Sequence, residues 1–314
     1  MLGKTAGGLF WMFRYLERSE NTARLLDAGF RITLTRPATA ASEWKSVLTT
    51  AGSIDDYEER HDNFDSARII DFLLRDASNP ASVLNTVKAA RDNARLVRTA
   101  LTREVWEAIN EAWMTLKSLL SRPVRDRDVP EVLSTIRQQN ALVRGATAGT
   151  MLRNDGYNFI RIGTFLERAD NTARILDVKY YLLLPSIAQI GSSLDNMQWE
   201  IILRSVSAQR AYQWLNGADT NSKNIANFLI LHRQMPRSLA FCSQKIKINL
   251  GYLEQDYRIF NPSGTLAQAH YDKLTDCDIE AIFEFGLHEY IERFILENNV
   301  LASQIAQDYR FERE

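Results

Sequence analysis

Two polar segments of nearly identical sequence hold the residues of this chain that are best suited to chemistry. LERSENTARLLD at 16–27 and LERADNTARILD at 166–177 agree at nine of twelve positions. In each copy a Glu, an Asn and an Arg follow one another at spacings of four and three residues, which places them on one face of an α-helix. A carboxylate and a guanidinium side by side can pair with each other or bind a polar ligand. The candidate residues are Glu17, Asn21, Arg24, Glu167, Asn171 and Arg174.

Three interpretations of these polar stripes stay open. Each stripe lies beside an apolar stripe, which includes Leu16 or Leu166, so Glu–Arg pairs near the interior could fix the register of neighbouring helices. Alternatively, the stripes line a cleft in which guanidinium groups bind a carboxylate or a phosphate. In the third interpretation the chain is an enzyme of amide or acyl-phosphate chemistry, with Glu17 or Glu167 as general base. The sequence neither assigns nor excludes catalysis.

A separate run of cations occurs at 89–98, AARDNARLVR. Arg91, Arg95 and Arg98 fall on one helical face at spacings of four and three. Such a face is commonly solvated, but these cations could also pair with Glu17 and its neighbouring acid or hold an anionic substrate. The corresponding stretch of the second half, KIKINLGYL, does not repeat this pattern, so a site built on this run would be asymmetric.

The metal-ligating and nucleophilic residues form no recognisable site. The four His are scattered, and Glu284, His288 and Glu292 share a helical face in a pattern typical of a protein surface. A di-iron bundle needs Glu-x-x-His pairs on two helices, and the chain lacks a phosphate-binding glycine loop and a GxSxG nucleophile motif. Cys242 lies in an apolar segment and is expected to be a small core residue. We therefore expect no metal and no cofactor.

Composition and charge limit the partners and the compartment. The 38 Lys and Arg nearly balance the 39 Asp and Glu, so no overall field favours nucleic acid or an anionic membrane. The most apolar stretch, around 180–184, is far shorter than the roughly 20 residues that a membrane span needs. Two Cys without a CxxC argue against a disulfide scaffold, and the N-terminal segment does not resemble a signal peptide. These features predict a soluble cytoplasmic protein.

The spacing of apolar residues predicts an all-α fold. Apolar residues recur at three and four rather than at two, and seven Pro and 14 Gly leave few breaks. The segments 51–62 and 255–275 are expected to be loops. Helices are predicted at about 8–34, 40–50, 63–76, 80–101, 103–121, 129–154, 157–184, 195–216, 220–232, 236–254 and 277–310.

The order of the matching segments indicates an internal repeat. Besides the polar pair, FLLRDASNPASV at 72–83 resembles FLILHRQMPRSL at 228–239, at an offset of 156 residues. We infer a tandem duplication with halves 1–150 and 151–314. Because no linker rich in Pro, Gly or Ser separates the halves, they are expected to pack as one pseudo-symmetric multi-helix bundle.

Several motifs, in this order, resemble the bacterial alpha-E family. They are LFWMFRYLERSENTARLLD, ASNPASV with AARDNARLVR, EVWEAINEAW, FIRIGTFLERADNTARILD and MPRSLAF, and they run from about residue 2 to 255. The resemblance implies an all-helical domain of unknown biochemical function, with a Glu-bearing motif carried here by Glu17 and Glu167. It also makes Arg237 a candidate, because the family pattern favours Arg there and at Ala81. Thr164 stands where the first copy has Arg14.

The resemblance further implies partners more than an activity. Genes of this family typically lie beside, or are fused to, a circularly permuted ATP-grasp enzyme, often with a transglutaminase-like protein. Such systems are thought to make or remove amide-linked peptide tags. The implied role is an accessory protein that binds the ATP-grasp amide ligase or its peptide or anionic substrate.

Overall fold

Helices account for all regular secondary structure in the residues that the structure describes. The computed structural model describes residues 1–35, 40–182, 193–217 and 221–311. Within these ranges the all-α prediction is confirmed, and none of the helices is long and apolar enough to cross a membrane. The fifteen α-helices of the described ranges are α1 (Gly3–Thr35), α2 (Ala40–Thr50), α3 (Ile54–Glu58), α4 (Ser66–Leu74), α5 (Val83–Leu96), α6 (Arg103–Leu119), α7 (Val129–Thr150), α8 (Asp155–Leu182), α9 (Ser193–Ser205), α10 (Gln209–Asn216), α11 (Ser222–Ile230), α12 (Leu239–Tyr257), α13 (Pro262–Asp276), α14 (Ile279–Phe285) and α15 (Leu287–Asp308).

The central pair of helices, α1 and α8, pack along each other. α1 also packs against α5 and α7, and α8 packs against α12 and α15. Leu16 and Leu166, from the two apolar stripes, are both buried in the shared core. The backbones of the two helices are in close contact at Gly163, where an added Cβ would lie 2.4 Å from the backbone oxygen of Phe10. Because that oxygen belongs to the main chain of α1, the close approach requires glycine at this position.

The helices α5 and α12 begin in the same way. Their sequences predict Pro80 and Pro236 just inside the helix starts. That prediction is wrong, because both prolines lie two residues before an N-cap, outside the helix, and the caps are Ser82 and Ser238. Each serine Oγ accepts a hydrogen bond from the backbone N–H three residues later, at 3.4 Å and 3.1 Å. Both segments therefore initiate helices, with serine supplying the cap.

The predicted loop at 255–275 is wrong, because most of it is helix α13. Pro262 occupies its first turn, a favoured position for proline. The buried residues of α13 follow helical spacing, but only the last is strongly apolar, so the apolar periodicity that predicts a helix is missing. They are Ser263, Ala267, His270 and Leu274.

Two predicted helices are each divided in the structure. The predicted helix 195–216 consists of α9 and α10, which are separated at Ser207 with φ of 53°. The predicted helix 277–310 consists of α14 and α15, which are separated at Gly286 with φ of 108°. A residue with positive φ cannot continue a right-handed α-helix, so each helix ends there.

The remaining predicted helices are present, with ends shifted by a few residues. The predicted loop 51–62 contains one short helix, α3. The predicted helical residues 183–184 and 220 lie outside the described residues.

Candidate functional site

Two reciprocal salt bridges join α1 and α8 at the matching polar segments. Arg18 of α1 donates from Nε and Nη2 to the two carboxylate oxygens of Glu167, at 2.5 Å and 3.0 Å. Arg168 of α8 donates from the same two atoms to Glu17, at 2.9 Å each. Each segment thus binds the carboxylate of the other through a two-pronged guanidinium, which fixes orientation as well as distance. The two polar stripes therefore lie together, across the α1–α8 contact.

A further arginine binds each carboxylate, but from a different place in the two copies. Arg237, which immediately precedes the N-cap of α12, lies 3.0 Å from Glu17 and donates to Asn21 Oδ1 at 3.0 Å. Arg14 of α1 instead donates to Glu167 at 2.9 Å. The surroundings of the two glutamates are consequently similar in charge and different in geometry.

The positions that correspond to these arginines hold other residues. Thr164 corresponds to Arg14 at an offset of 150, and Ala81 corresponds to Arg237 at an offset of 156. Thr164 is buried and donates its hydroxyl to the backbone oxygen of Ile160. Ala81, which has no polar side-chain atom, borders a cavity. The two segments therefore differ in their contacts at these two positions.

Glu20 on α1 forms ion pairs with three arginines. Arg24, one turn further on, donates to Oε1 from Nε and Nη2 at 3.0 Å and 2.6 Å. Arg237 donates to the same oxygen at 3.2 Å, and Arg144 of α7 pairs with Oε2. The network thereby ties α7 and the start of α12 to the central helix pair.

Burial and ion pairing oppose each other in the pKa values of this network. Burial raises the pKa of Glu17 and of Glu167, which are 2% and 5% exposed. The surrounding guanidinium groups outweigh burial, so the pKa values of Glu17, Glu20 and Glu167 all lie below the usual range. Burial lowers the pKa of Arg237 to about 10, whereas the pKa of Arg168 is raised because its pairing with Glu17 outweighs burial. At neutral pH these carboxylates are ionised and paired.

A cavity of about 250 Å³ lies beside Ala81 and the second polar segment. Asp170 pairs with Arg174 through Oδ2 at 2.7 Å, but its buried Oδ1 has no hydrogen-bond partner among the described residues. The buried Nδ2 of Asn171 also lacks a partner there. The polar wall also includes Arg18 and Glu167, which pair with each other, and Asn21, Thr22 and Thr50. The side chains of Arg18 and Arg174 are 34% and 37% exposed, so the network reaches solvent at this point.

The predicted candidates divide into two groups. Arg91 and Arg95 lie away from the network: Arg91 donates to Asn110 of α6 at 2.7 Å, and Arg95 is exposed. The hypothesis that this run of arginines pairs with the acids of α1 is therefore wrong, because α5 turns it towards α6. The other candidates all lie in the network or line its cavity, namely Glu17, Asn21, Arg24, Glu167, Asn171, Arg174 and Arg237.

His288 is buried, contrary to the surface position expected for it. Its Nδ1 lies 2.5 Å from Asp177 of α8, and its Nε2 lies 3.3 Å from Glu292. The burial arises because α15 packs against α8, whereas Glu284 and Glu292 remain exposed. Within the described ranges, no group of three or more His, Cys, Asp or Glu could hold a metal ion.

Cys242 is a core residue, as predicted. It is 0% exposed, and its Sγ lies 3.8 Å from the backbone oxygen of Pro236. Burial raises the pKa of its thiol to about 12, so the reactive thiolate is scarce at neutral pH. These properties argue against a nucleophilic role.

Sequence reasoning missed several arginines of the network. Arg18 and Arg168 were identical at matching positions of the two polar segments, which was a usable signal. Arg14 lies just before the first segment and has no counterpart in the second. Arg144 is 124 residues from Glu20, and nothing in the local pattern of α7 marks it. Only the packing of α7 on α1 brings these two residues together.

Comparison with known proteins identifies a family. The family model Alpha-E, described as a predicted alpha-helical domain with a conserved ER motif, matches residues 1–309. Glu17–Arg18 and Glu167–Arg168 are Glu-Arg pairs of this kind. Uncharacterised proteins of Mycobacterium bovis and Mycobacterium tuberculosis are each 26% identical over an alignment of 263 residues, and the match covers 77% of this chain and 29% of theirs. No solved structure matches this chain.

Proposed function

This chain belongs to the Alpha-E family, and from that premise we propose that it is a non-catalytic helical partner of an ATP-grasp amide ligase. In this proposal it binds the ligase or its peptide or anionic substrate, and a transglutaminase-like protein is a second candidate partner. The curated relatives support a role beside other protein domains, because this chain covers only 29% of their length.

The observation that carries the proposal is the cavity beside Ala81. Away from the cavity, most charges of the network, such as those of Glu17, Arg168 and Arg237, are buried and paired with one another, as an internal scaffold would require. At the cavity, by contrast, Arg18 and Arg174 are each about one-third exposed and lie beside the carboxylates of Glu167 and Asp170. Guanidinium and carboxylate groups that border a cavity open to solvent can bind a polar ligand.

The same contacts argue against catalysis by the motif glutamates. A general base needs a pKa near the operating pH and a lone pair free to accept the proton. Glu17 and Glu167 have lowered pKa values, and both oxygens of each accept hydrogen bonds from a guanidinium. Their geometry supports a structural role, in which they position the arginines around them.

We also propose that the two halves of the chain arose by tandem duplication. The reciprocal pairs Arg18–Glu167 and Arg168–Glu17 support this origin, since the two segments pair with each other through equivalent residues. The matched N-caps Ser82 and Ser238 lend further support.

Co-purification with an ATP-grasp amide ligase from the same organism tests the functional proposal. We expect the chain to bind the ligase and to change its turnover on a peptide acceptor. Asp170→Asn, which removes a charge from the cavity wall, should weaken that change. Glu107→Gln is the matched control, since Glu107 forms an exposed ion pair on α6. Absence of both binding and any effect on turnover would overturn the proposal.

A further inference from the structure

We propose that the cavity beside Ala81 binds a guanidinium group of a ligand, in the place that Arg237 fills in the other copy. The inference rests on the proposed function, because it names the chemistry of the peptide substrate at the same opening. The guanidinium could be supplied by an arginine side chain of a peptide or by free arginine.

The contacts of Arg237 define what such a site offers. Its guanidinium lies 3.0 Å from Glu17, 3.2 Å from Glu20 and 3.0 Å from Asn21 Oδ1. All three acceptors belong to the first polar segment. Arg237 itself is 6% exposed, so the group is enclosed as well as hydrogen-bonded.

The second polar segment presents the same acceptors to an empty volume. The residues 150 positions later are Glu167, Asp170 and Asn171, and all three line the cavity. The residue that corresponds to Arg237 is Ala81, which lines it too. The cavity is therefore the counterpart of the volume that the Arg237 side chain occupies.

Acceptors on the second segment match those that Arg237 uses. Oε1 of Glu20 accepts from both Arg24 and Arg237, and the corresponding oxygen of Asp170 is Oδ2, which accepts from Arg174. Asn171 is 7% exposed, and its Nδ2 lacks a partner, as does the Nδ2 of Asn21. Since Asn21 accepts from Arg237 through Oδ1, Oδ1 of Asn171 is the matching acceptor for a ligand.

The charges of the wall also favour a cation over an anion. An anion in the place of the guanidinium would lie against the carboxylates of Glu167 and Asp170. The arginines Arg18 and Arg174 do not forbid a further guanidinium. Their counterparts, Arg168 and Arg24, already share the first copy with Arg237.

The size and the shape of the group select guanidinium among cations. A cavity of about 250 Å³ holds a planar side chain of this length. A guanidinium has five donors in a rigid fork and can reach several acceptors at once, whereas an ammonium is a point charge. The three acceptors belong to Glu167, Asp170 and Asn171, and the N–H donors of one planar guanidinium can reach all three side chains.

Isothermal titration calorimetry on the full chain tests the assignment with two probes, L-arginine and acetyl-Gly-Arg-Gly-amide. The matched control peptide contains citrulline, which keeps the shape and lacks the charge. We expect saturable binding at one site, weakened at least about tenfold with citrulline because the hydrogen bonds are no longer charge-assisted. Tighter binding of the peptide than of L-arginine would assign the group to a peptide, and the reverse would assign it to the free amino acid.

Two variants locate the site. Ala81→Arg fills the cavity from within and should abolish binding, while Ala77→Arg adds the same group at an exposed position of the same turn and should preserve it. Asp170→Asn should weaken binding at least about tenfold and decides the question if Ala81→Arg fails to fold.

Several results would overturn the inference: no binding of either arginine probe, equal binding of the citrulline peptide, or full binding by the folded Ala81→Arg or Asp170→Asn variant. The titration needs no ligase, so the two proposals can fail separately. Ligase binding without arginine binding would overturn this inference alone. Arginine binding without any ligase interaction would overturn the partner assignment and leave the site standing.

Discussion

Single carboxylates hold several arginines in the interior of this protein. Glu17 is bound by Arg168 and Arg237, whose side chains are 12% and 7% exposed. Buried ion pairs of this kind add little net stability, but the loss of one partner leaves the other charges without compensation. The glutamates are therefore required mainly as counter-ions for the buried arginines.

Removing the charge of either motif glutamate should destabilise the fold. We expect Glu17→Gln and Glu167→Gln each to lower the free energy of unfolding by about 3–5 kcal/mol, because buried guanidiniums lose their counter-ion. Urea unfolding followed by circular dichroism measures this loss. Glu107→Gln, in an exposed pair, is the control and should change stability by less than about 0.5 kcal/mol. Unchanged unfolding of both motif variants would contradict a structural role.

Stability should also fall in mild acid because of His270. Burial lowers the pKa of this side chain to about 4, below the 6.5 of an exposed histidine, although Glu297 at 3.8 Å opposes the shift. The unfolded chain therefore takes up a proton first, and stability decreases as the pH falls from 6.5 to 4, by at most about 1.4 kcal/mol per pH unit. Glu17 and Glu167, with lowered pKa values, lose their contribution only below about pH 4.5.

Urea unfolding at pH 7, 6, 5 and 4.5 measures this slope. His270→Gln keeps a polar side chain of similar size and removes the titration, so its slope over this range should be smaller than that of the wild type. Equal slopes for the two proteins would show that His270 does not carry the effect.

At this scale the sequence predicted the glutamates well and the arginines poorly. Glu17 and Glu167 are recognisable because two segments of nearly identical sequence contain them and helical spacing sets their face. Arg144 could not be found in this way, because it meets Glu20 only through the packing of α7 on α1. The cavity beside Ala81 is equally unpredictable from the sequence, since an empty volume depends on every side chain around it.

At the scale of the elements, the two polar segments meet only because α1 and α8 approach closely. Gly163 permits that approach by leaving its space to the backbone of Phe10. Bidentate salt bridges such as Arg18–Glu167 tolerate little change in the distance between the helices. The geometry of the network thus depends on a residue that carries no charge.

Gly163→Ala should therefore be destabilising, although Gly→Ala changes inside helices usually stabilise. The added Cβ would lie 2.4 Å from the Phe10 oxygen, and we expect a loss of about 1–3 kcal/mol as the helices separate. Gly145→Ala on α7, where an added Cβ meets nothing within 4 Å, should instead gain about 0.5–1 kcal/mol. Thermal unfolding of both variants tests the contrast, and a shift of the same sign in each would refute the close contact.

Most elements were predictable from apolar spacing, and the errors have physical causes. α13 was missed because serine, alanine and histidine fill most of its buried positions, so it has no clear apolar stripe. The divisions at Ser207 and Gly286 were missed because single residues with positive φ interrupt otherwise continuous helical patterns. Long, strongly apolar helices leave a clear signal, and short connections do not.

At the scale of the whole molecule, the charged network spans both halves of the chain. On α1, Glu17 pairs with Arg168 of α8, and both Glu17 and Glu20 pair with Arg237, which precedes α12. The apolar sides of α1 and α8 cover each other in the same contact. Each half therefore depends on the other both for apolar cover and for counter-ions.

A fragment of residues 1–150 should consequently not fold cooperatively on its own. It would expose the apolar side of α1 and leave Glu17 without Arg168 and Arg237. We expect poor dispersion in its amide NMR spectrum and no cooperative thermal transition, with recovery on mixing with residues 151–314. A sharp transition in the isolated fragment would instead mark the halves as separate domains.

Because Cys242 is buried, the rate at which its thiol reacts reports how often the surrounding helices separate. Its thiol is 0% exposed with a pKa of about 12, whereas Cys277 is only half-buried. In a Cys277→Ser background, a disulfide-exchange reagent can reach the remaining sulfur only when the surrounding helices separate. The labelling rate should therefore follow the population of open molecules and rise in Glu17→Gln; labelling as fast as in a denatured chain would show that Cys242 is not shielded.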